Sequence, residues 1–431
     1  MLEAISRMAG PAAEKIRNVQ FVRVVSHHDA DGITACGVVC LALQRQRIPF
    51  QATIVSNLDA SVEGMLDPSV PVIFCDMGSG QPEIVNRFDA VVLDHHVPRG
   101  EHRGIHVNPH VAGIDGGTEI SASGVAYAFA RTLGSGNVDL AGLAISGAIG
   151  DKQKMVGPNR DILDEAVREG VVTVRKGMKL GMGPLDQVLE HSIDPYFDFS
   201  GNHEATVKFL ADLGLSGSIE TLSAEDMRRL GSALSLLLLK KSPPDTIDSL
   251  FGDVYLLNRE LIHDVYDFTN TVNSCGKMGL PGLGLSVCLR HAPALKEAET
   301  KRFEYSRAIL NALSEAISRI RDMSALRYVD ICCSDVTGAL ASTVIRYVLP
   351  DKPIVVLNSE DGKIKVSARG TAALIKQGLD LSTAIREGAV LVGGSGGGHR
   401  IASGAAIPAC REQEFLEAVN AIVRRQLHGQ V

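Results

Sequence analysis

The sequence predicts an α/β protein built on a mostly parallel sheet with helices on both of its faces. Strand-like apolar runs alternate with helix-like segments between Phe21 and Asp94, and a second alternating pattern begins near residue 328. Strands that alternate with helical segments are typical of βαβ units, whose strands pair in parallel. With 431 residues, the chain is long enough for two or three domains.

The elements follow in order along the chain. Strands are predicted at 21–25, 51–55, 71–75, 90–93, 328–333, 353–357 and 363–367. Helices are predicted at about 33–46, 59–65, 82–87, 121–133, 138–149, 338–348, 371–377 and 412–427. A single amphipathic helix with mixed charges is expected at 294–323, where it would join two domains. The predicted regions are a parallel-sheet domain at 1–184, a mostly helical middle region at 185–293, a connecting helix at 294–325 and a smaller α/β domain at 326–431.

Composition excludes several classes of protein. No window of eighteen apolar residues occurs, and the first eighteen residues mix charged side chains among the apolar ones. We therefore expect no membrane span and no signal peptide, and a cytoplasmic protein with free thiols at its eight cysteines. The net charge of −7 does not indicate a nucleic-acid binder, but carboxylates that bind divalent cations count as negative in that sum.

Residues 26–32 read SHHDADG and place two imidazoles and two carboxylates within five consecutive positions. In an extended chain, residues two apart share a face, so His27, Asp29 and Asp31 are expected on one side and His28 on the other, in a structural role. Such groups repel one another unless cations lie between them. The alternative is a polar loop whose aspartate caps the next helix.

Three further acidic positions follow apolar runs, at Asp76, at Asp94 with His95-His96 behind it, and at Asp151. One aspartate at a strand end is usually a cap or turn residue. In open α/β sheets, however, sites form beyond the carboxyl ends of the strands, where several such residues converge. Mixed carboxylate and imidazole ligands without thiolate favour Mn²⁺ or Mg²⁺. Two such ions about 3.5–4 Å apart, bridged by one carboxylate, are suited to hydrolysis of a phosphate ester.

The SHHDADG segment, Asp76, Asp94-His95-His96 and Asp151 resemble, in the same order, the four motifs of the DHH phosphoesterase family. Residues 365–369 and 396–404 resemble the DHHA1 domain that accompanies it. The resemblance implies one metal ion held by His27, Asp29 and Asp76, and a second held by Asp31, Asp76, His95 and Asp151. It also implies that Asp76 bridges the ions, that His96 faces the scissile phosphate, and that Asp94 orients His95.

The C-terminal glycine run indicates an anion site. Glycines let backbone N–H groups approach an anion closely, although a glycine run is also typical of a flexible linker. Residues 389–392 look like a strand that leads into the run, which favours the anion site. The resemblance to DHHA1 domains implies that nucleotide phosphates contact Ser367, Arg369, Gly397, Gly398 and His399.

Residues 273–279, NSCGKMG, are similar to the Asn-Ala-x-Gly-Arg segment of RecJ-type exonucleases. Asn273 and Lys277 are therefore candidate substrate contacts, although Lys277 replaces the arginine and lacks its bidentate geometry. A loop that joins a helix to a strand explains this segment equally well. The chain has no room for the additional OB-fold of bacterial RecJ, so its architecture looks like the compact archaeal form.

The favoured hypothesis is a single-strand-specific, RecJ-like exonuclease that releases mononucleotides from DNA or RNA. It would use two divalent cations, with Mn²⁺ preferred to Mg²⁺. One alternative is a phosphoesterase for small substrates such as nanoRNA, pAp or a cyclic dinucleotide. Another is a replication factor beside the GINS complex, because the family includes a subunit of the eukaryotic replicative helicase. Basic residues between 152 and 179 fit a solvated helix face slightly better than a track for a phosphate backbone. The sequence leaves open the polarity of digestion and whether the chain forms a homo-oligomer.

Overall fold

The structure, a computed structural model, describes residues 1–332, 334–360 and 362–429. Its first part alternates strands and helices as predicted. The elements are α1 (Leu2–Arg17), β1 (Val22–His27), α2 (Ala30–Arg45), β2 (Phe50–Val55), α3 (Ala60–Glu63), β3 (Val72–Cys75), α4 (Pro82–Val85), β4 (Ala90–Leu93), β5 (Ile105–Val107), α5 (Ala122–Leu133), α6 (Ala141–Gly150) and α7 (Gly157–Arg168).

The first five strands form one parallel sheet in the order β2-β1-β3-β4-β5. Successive side chains along each strand point to opposite faces, so the strands contribute to two cores. Val24 and Ile73 pack into a core with α1, α2, α5 and α6, whereas Val25 and Phe74 pack into a second core with α3 and α4. Helices therefore cover both faces, and the predicted α/β fold is confirmed.

The middle of the chain is largely helical. Its elements are β6 (Val172–Met178), α8 (Leu185–Glu190), α9 (His203–Asp212), α10 (Ala224–Leu239), α11 (Ile247–Leu250), β7 (Phe251–Leu257), α12 (Val265–Lys277), α13 (Pro281–Cys288), α14 (Leu295–Ile317) and β8 (Arg321–Asp322). Two features differ from the prediction. Strand β7 lies within the predicted helical region and pairs with β6, and α14 ends six residues before 323, so that β8 can form.

The C-terminal elements are β9 (Arg327–Ile331), α15 (Thr337–Thr343), β10 (Ile354–Glu360), β11 (Lys363–Arg369), α16 (Ala372–Lys376), α17 (Leu381–Leu391), β12 (Ser395–Gly398), β13 (Ala402–Pro408) and α18 (Glu412–His428). They include a mixed six-stranded sheet in the order β12-β13-β11-β10-β9-β8, in which β9 and β10 are parallel. Residue 333, the end of the predicted strand 328–333, lies outside the described residues.

The glycine run is itself a strand, which the sequence did not predict. Residues 389–392 were expected to be strand-like, but 389–391 form the last turn of α17 and Val392 is its C-cap. Residues 395–398 form β12 at the edge of the sheet. A short apolar run does not distinguish a strand from a buried helix. Backbone pairing with β13 then orders the glycines, so the run is not a flexible linker.

The chain divides into two compact units, residues 1–177 with 253–302 and residues 178–252 with 303–431. The predicted middle region 185–293 is thus shared between the units. The parallel sheet belongs to the first unit and the six-stranded sheet to the second. Among the residues that the structure describes, no helix is long and apolar enough to cross a membrane, and every cysteine is a free thiol.

Candidate functional site

The register of the parallel sheet explains why distant residues meet at its carboxyl edge. The last pairs between neighbouring strands form one row, which contains Ser26, Cys75, Leu93 and Val107. Each of these residues is followed in the sequence by a polar residue: His27, Asp76, Asp94 and Asn108. Parallel strands therefore bring three of the predicted site residues to one rim, as expected for an open α/β sheet.

The SHHDADG segment reaches this rim through a strand-to-helix turn. His27 ends β1, Asp29 is the N-cap of α2, and Asp31 lies in the first turn of that helix. The predicted extended alternation is wrong here, because α2 begins at residue 30 rather than near 33. Asp29 does cap α2, since its side chain accepts a 3.1 Å hydrogen bond from the Gly32 N–H. Asp29 thus caps the helix and also lies in the acidic cluster, so the two interpretations of this aspartate do not exclude each other.

One cluster consists of His27, Asp29 and Asp76. The Nδ1 atom of His27 lies 3.0 Å from Oδ2 of Asp29 and 3.2 Å from Oδ2 of Asp76. One ligand atom from each residue lies within 4.8 Å of the others, a spacing that can hold a single metal ion. The group that the resemblance implies for the first ion is therefore assembled in space.

A second cluster consists of Asp31, His95 and Asp151, with ligand atoms within the same 4.8 Å limit. The Nε2 atom of His95 lies 3.9 Å from Oδ2 of Asp31 and 3.4 Å from Oδ2 of Asp151. It also lies 3.4 Å from Oδ1 of Asp76, while the other oxygen of Asp76 lies in the first cluster. Asp76 is thus located between the two clusters.

Asp31 is held in place by the beginning of α5. Its Oδ2 accepts a 2.7 Å hydrogen bond from the N–H of Ala122, and its Oδ1 accepts a 2.9 Å hydrogen bond from the N–H of Ser123. Free N–H groups at a helix N-terminus stabilise a carboxylate. Helix α6 approaches closely at Gly147, where a Cβ atom would overlap the carboxylate of Asp31. The packing of α5 and α6 therefore fixes a fully buried acid at the rim.

The partners of the two rim histidines differ from the prediction. The Nδ1–H of His95 donates to the carbonyl oxygen of Gly116 at 2.6 Å, which directs Nε2 toward the carboxylates. Asp94 instead accepts a 2.8 Å hydrogen bond from Nδ1 of His96 and a 2.9 Å bond from the N–H of Ser79. The prediction that Asp94 orients His95 is therefore wrong, because Asp94 orients the neighbouring imidazole.

Asp76 combines a strained backbone with an incompletely satisfied carboxylate. Its φ angle is +57°, in the left-handed region that non-glycine residues seldom adopt. Its side chain is buried, and Oδ1 makes no well-aligned hydrogen bond with the described residues. A buried carboxylate oxygen without a donor is costly unless a cation is bound to it. The geometry and the donor set thus both fit a divalent cation.

The rim concentrates negative charge. Burial and then Asp76 raise the pKa of Asp31 to about 6, and burial and then Asp31 raise the pKa of Asp151 above its usual value. Burial lowers the pKa of His27, but Asp29 and then Asp76 outweigh it and raise the pKa to about 10. Such carboxylates need positive charge among them, which protons on imidazoles or divalent cations can supply.

In the second unit, the predicted phosphate contacts lie in two rows across the six-stranded sheet. One row contains Ser367, Gly404 and Gly397, and the next contains Arg369, Ala402 and His399. Directly paired residues share a face of a sheet, as do residues two apart on a strand. Ser367, Arg369, Gly397 and His399 therefore lie on one face. Gly398 lies between the rows, at the end of β12, and its φ of +140° lies in a region that favours glycine.

Arg369 places a guanidinium on this face. Its Nε donates to Oγ of Ser342 at 3.2 Å, and its Nη1 donates to the carbonyl oxygen of Ala368 at 2.9 Å. No carboxylate of the described residues forms an ion pair with Arg369, and burial lowers its pKa. Its Nη2 atom lies beside Gly338, where a Cβ atom would be 3.3 Å away. A guanidinium in these surroundings is available to an anion.

The candidate residues of α12 lie close to the turn after β1. Nζ of Lys277 is 3.2 Å from Nε2 of His28, and Asn273 is one helical turn earlier and half-buried. The backbone at Gly276 contacts the His28 carbonyl so closely that a Cβ atom there would overlap it. Burial raises the pKa of Asp29, but the charges of His27 and then Lys277 outweigh burial. The net effect is a pKa below the usual value. The predicted segment thus adjoins the first cluster.

Several of the basic residues between 152 and 179 form ion pairs with acidic neighbours. Arg160 forms an ion pair with Asp164 at 2.8 Å, and Lys176 forms one with Asp253 at 2.6 Å. Arg168 lies 3.4 Å from Glu169. These contacts favour the solvated helix face over a track for a phosphate backbone.

Sequence reasoning missed several rim residues. Asn108 and Ser79 are completely buried beside Asp94 and His96, and Gln153 shares the Gly116 carbonyl with His95. The only local signal was the Asn108-Pro109 dipeptide, which is typical of a turn. Their contacts depend on strand pairing and on long-range packing.

Comparisons with known proteins agree with this architecture. Residues 21–148 match the model of the DHH family, N-terminal domain, and residues 329–425 match that of the DHHA1 domain. An uncharacterized protein of Methanocaldococcus jannaschii is 32% identical over 443 residues, which cover 99% of this chain and 99% of the relative.

Two solved structures share the fold. RecJ of Thermus thermophilus in complex with Mn²⁺ has a TM-score of 0.63 at 16% identity, over 98% of this chain and 55% of that chain. The chain thus spans about half the length of that RecJ. CDC45 of Entamoeba histolytica has a TM-score of 0.67 at 12% identity, over 97% of this chain and 99% of that chain.

Proposed function

Because the chain belongs to the DHH family and also carries a DHHA1 domain, we propose that it is a metal-dependent phosphodiesterase. The favoured activity is that of a RecJ-like exonuclease, which removes mononucleotides from single-stranded nucleic acid. The observation that carries the proposal is Asp76, whose two oxygens face two separate clusters of carboxylate and imidazole ligands. A shared carboxylate between two ligand groups is the arrangement that a two-metal hydrolase requires.

The residues would be divided between two cations. His27, Asp29 and Asp76 would hold one ion, and Asp31, Asp76, His95 and Asp151 would hold the other. When bound, divalent cations lower the pKa of water and neutralise charge on phosphate oxygens. Mn²⁺ is the first choice, because these ligands suit it and the Thermus RecJ was solved with it, and Mg²⁺ is the alternative.

His96 would act on the phosphate itself. Asp94 binds its Nδ1, and half of the side-chain surface is exposed, so Nε2 can reach a substrate. Burial lowers the pKa of His96, but the hydrogen bond and charge of Asp94 raise it above the usual value. The protonated imidazole can then donate a hydrogen bond to a phosphate oxygen near neutral pH.

The second unit would bind the phosphates of the substrate. The face with Ser367, Arg369 and His399 offers hydroxyl, guanidinium and imidazole donors beside the bare backbone of Gly397. Charge-assisted hydrogen bonds from arginine to phosphate are among the strongest polar contacts in proteins. In the first unit, Lys277 and Asn273 would add contacts near the cluster that contains Asp29.

The proposal predicts that purified protein with Mn²⁺ degrades end-labelled single strands to mononucleotides. Asp76→Ala should abolish product, because both ion sites lose a ligand. A matched control is Asp89→Asn, since Asp89 precedes β4 at the opposite edge of the same sheet and is exposed. It should retain full activity. An inactive wild type, or an active Asp76→Ala variant, would contradict the proposal.

A small-substrate phosphoesterase is the second candidate, and one observation favours it. Three of the basic residues that would follow a long phosphate backbone, Arg160, Arg168 and Lys176, are paired with acids. Hydrolysis of oligonucleotides from two to thirty residues distinguishes the candidates, because a rate that collapses beyond a few nucleotides would favour the second. An inactive chain that co-purifies with GINS would instead indicate a replication factor.

A further inference from the structure

Beyond the metal ligands, a buried polar network extends from β5 to the pair formed by Asp94 and His96. Ser79 and Asn108 are its central members, and both side chains are fully buried. Neither residue belongs to the acidic clusters of the rim, and Asn108 is located at the carboxyl end of the edge strand β5. Fully buried polar side chains that remain completely hydrogen-bonded usually fix one local arrangement.

Asn108 uses every hydrogen-bonding group of its amide. Its Nδ2 donates to the His96 carbonyl oxygen at 2.8 Å and to Oγ of Ser79 at 2.9 Å. Its Oδ1 accepts a 3.0 Å hydrogen bond from the N–H of His110. With two donors and one acceptor satisfied, the amide has one orientation, and it fixes the backbone position of His96.

Ser79 extends this constraint to the other member of the pair. Its N–H donates to Oδ2 of Asp94 at 2.9 Å, and its Oγ lies 2.8 Å from Nε2 of His106. Burial and then His102 lower the pKa of His106 to about 4, so this imidazole is neutral at neutral pH and can accept. The hydroxyl of Ser79 therefore accepts from Asn108 and donates to His106.

We propose that Asn108 and Ser79 are positioning residues that hold the Asp94–His96 pair in the orientation required for contact with the phosphate. This inference rests on the proposed function. Asn108 holds the main chain of His96. Ser79 holds the Asp94 carboxylate through its backbone N–H, and its hydroxyl keeps the Asn108 amide in place. Displacement of a positioned catalytic group by about 1 Å lowers the rate by about 100-fold. Truncation of either residue should therefore lower kcat and leave KM almost unchanged.

The test is a double-mutant cycle on hydrolysis with Mn²⁺, using Asn108→Ala, His96→Ala and the combined variant. Asn108→Ala should lower kcat by about 10- to 100-fold. The combined variant should be no slower than His96→Ala, because Asn108 acts only through His96. Asn86→Ala is the matched control, since its amide bridges the backbone of Glu101 and Arg103 without touching the pair, and it should retain wild-type kcat.

Multiplicative losses in the combined variant would overturn the inference, and so would a weakened affinity for Mn²⁺ in Asn108→Ala, measured by titration calorimetry. If Asn108→Ala does not fold, Ser79→Ala replaces it in the cycle, because it keeps the N–H bond to Asp94 and removes only the hydroxyl. It should lower kcat several-fold, again only when His96 is present. A wild type that hydrolyses no phosphodiester overturns the proposed function as well, whereas an active wild type with multiplicative losses overturns the positioning role alone.

Discussion

The two candidate binding regions are built in opposite ways. The rim of the parallel sheet crowds ionisable side chains together, with Asp31 and Asp76 buried among their partners. The face of the six-stranded sheet presents bare glycine backbone beside Arg369, for which the described residues provide no carboxylate. The rim is therefore suited to cations, and the face is suited to anions.

Glycine has a different role in each region. Near the rim, a Cβ atom at Gly116, Gly147 or Gly276 would overlap the backbone or a carboxylate, so these glycines allow the ligand-bearing segments to pack closely. On the face, Gly397 has no atom within 4 Å of the position of a Cβ, so this glycine leaves room for another molecule. Alanine substitutions should therefore damage metal binding in one region and substrate affinity in the other.

The largest effect is expected for Gly147→Ala. The new methyl group would displace Asp31 or Ser123, and α6 would move away together with Asp151. We expect hydrolysis to fall by about 100-fold or more, with loss of one Mn²⁺ in titration calorimetry. Gly10→Ala is the matched helical control, because nothing lies within 4 Å of its Cβ position and alanine favours the helix. Unchanged Mn²⁺ stoichiometry in Gly147→Ala would contradict the role of this close contact.

A smaller effect is expected for Gly397→Ala. A methyl group there fits without a clash but protrudes from the face that carries Ser367. We expect KM to rise by about 10-fold, which corresponds to about 1.4 kcal/mol, while kcat and the melting temperature stay nearly constant. Gly398→Ala is the comparison, because its φ of +140° and an Ala402 carbonyl oxygen 2.7 Å from the Cβ position predict lower stability. If Gly397→Ala leaves KM unchanged, this face does not bind the substrate.

The sequence predicted the features that depend on local order. Residues such as Asp76 and Asp94 follow buried runs, and strand ends of a parallel sheet converge, so their meeting at one rim was predictable. The start of α2 at residue 30 was not, because the Asp29 cap begins the helix earlier than its apolar pattern indicates, and a cap was only the alternative to extended chain. The partner of His95 is the Gly116 carbonyl, more than twenty residues away, and no sequence spacing reveals such a contact.

The glycine run shows the same limit in the second unit. Its composition indicated a backbone that can approach an anion, but not that β12 would form the edge of a sheet. Strand pairing with β13 aligned Gly397 with Ser367, and this register sets which side chains share the face. Register is a property of the assembled sheet, so it could not be predicted from either segment alone.

The smallest effect on activity is expected from Asp264→Asn, which separates buried acids that serve chemistry from those that only cap a helix. Burial and then Asp267 raise the pKa of Asp264 to about 6, similar to that of Asp31. Asp264 is the N-cap of α12, where its Oδ1 accepts hydrogen bonds from the N–H groups of Tyr266 and Asp267. Asparagine retains this acceptor without the charge, so Asp264→Asn should leave the rate of hydrolysis unchanged. Asp31→Asn should abolish hydrolysis.

Stability should respond to pH in a defined direction. The folded pKa of Asp264 lies above that of the unfolded chain, so the folded state binds more protons and stability falls as pH rises from about 4 to about 6. Above pH 6 the buried charge costs on the order of 3 kcal/mol, and Asp264→Asn should raise the melting temperature at pH 8 but hardly at pH 4. Equal increases in melting temperature at both pH values would mean that the gain comes from packing or capping. In that case burial would not raise the pKa of Asp264 as it raises that of Asp31.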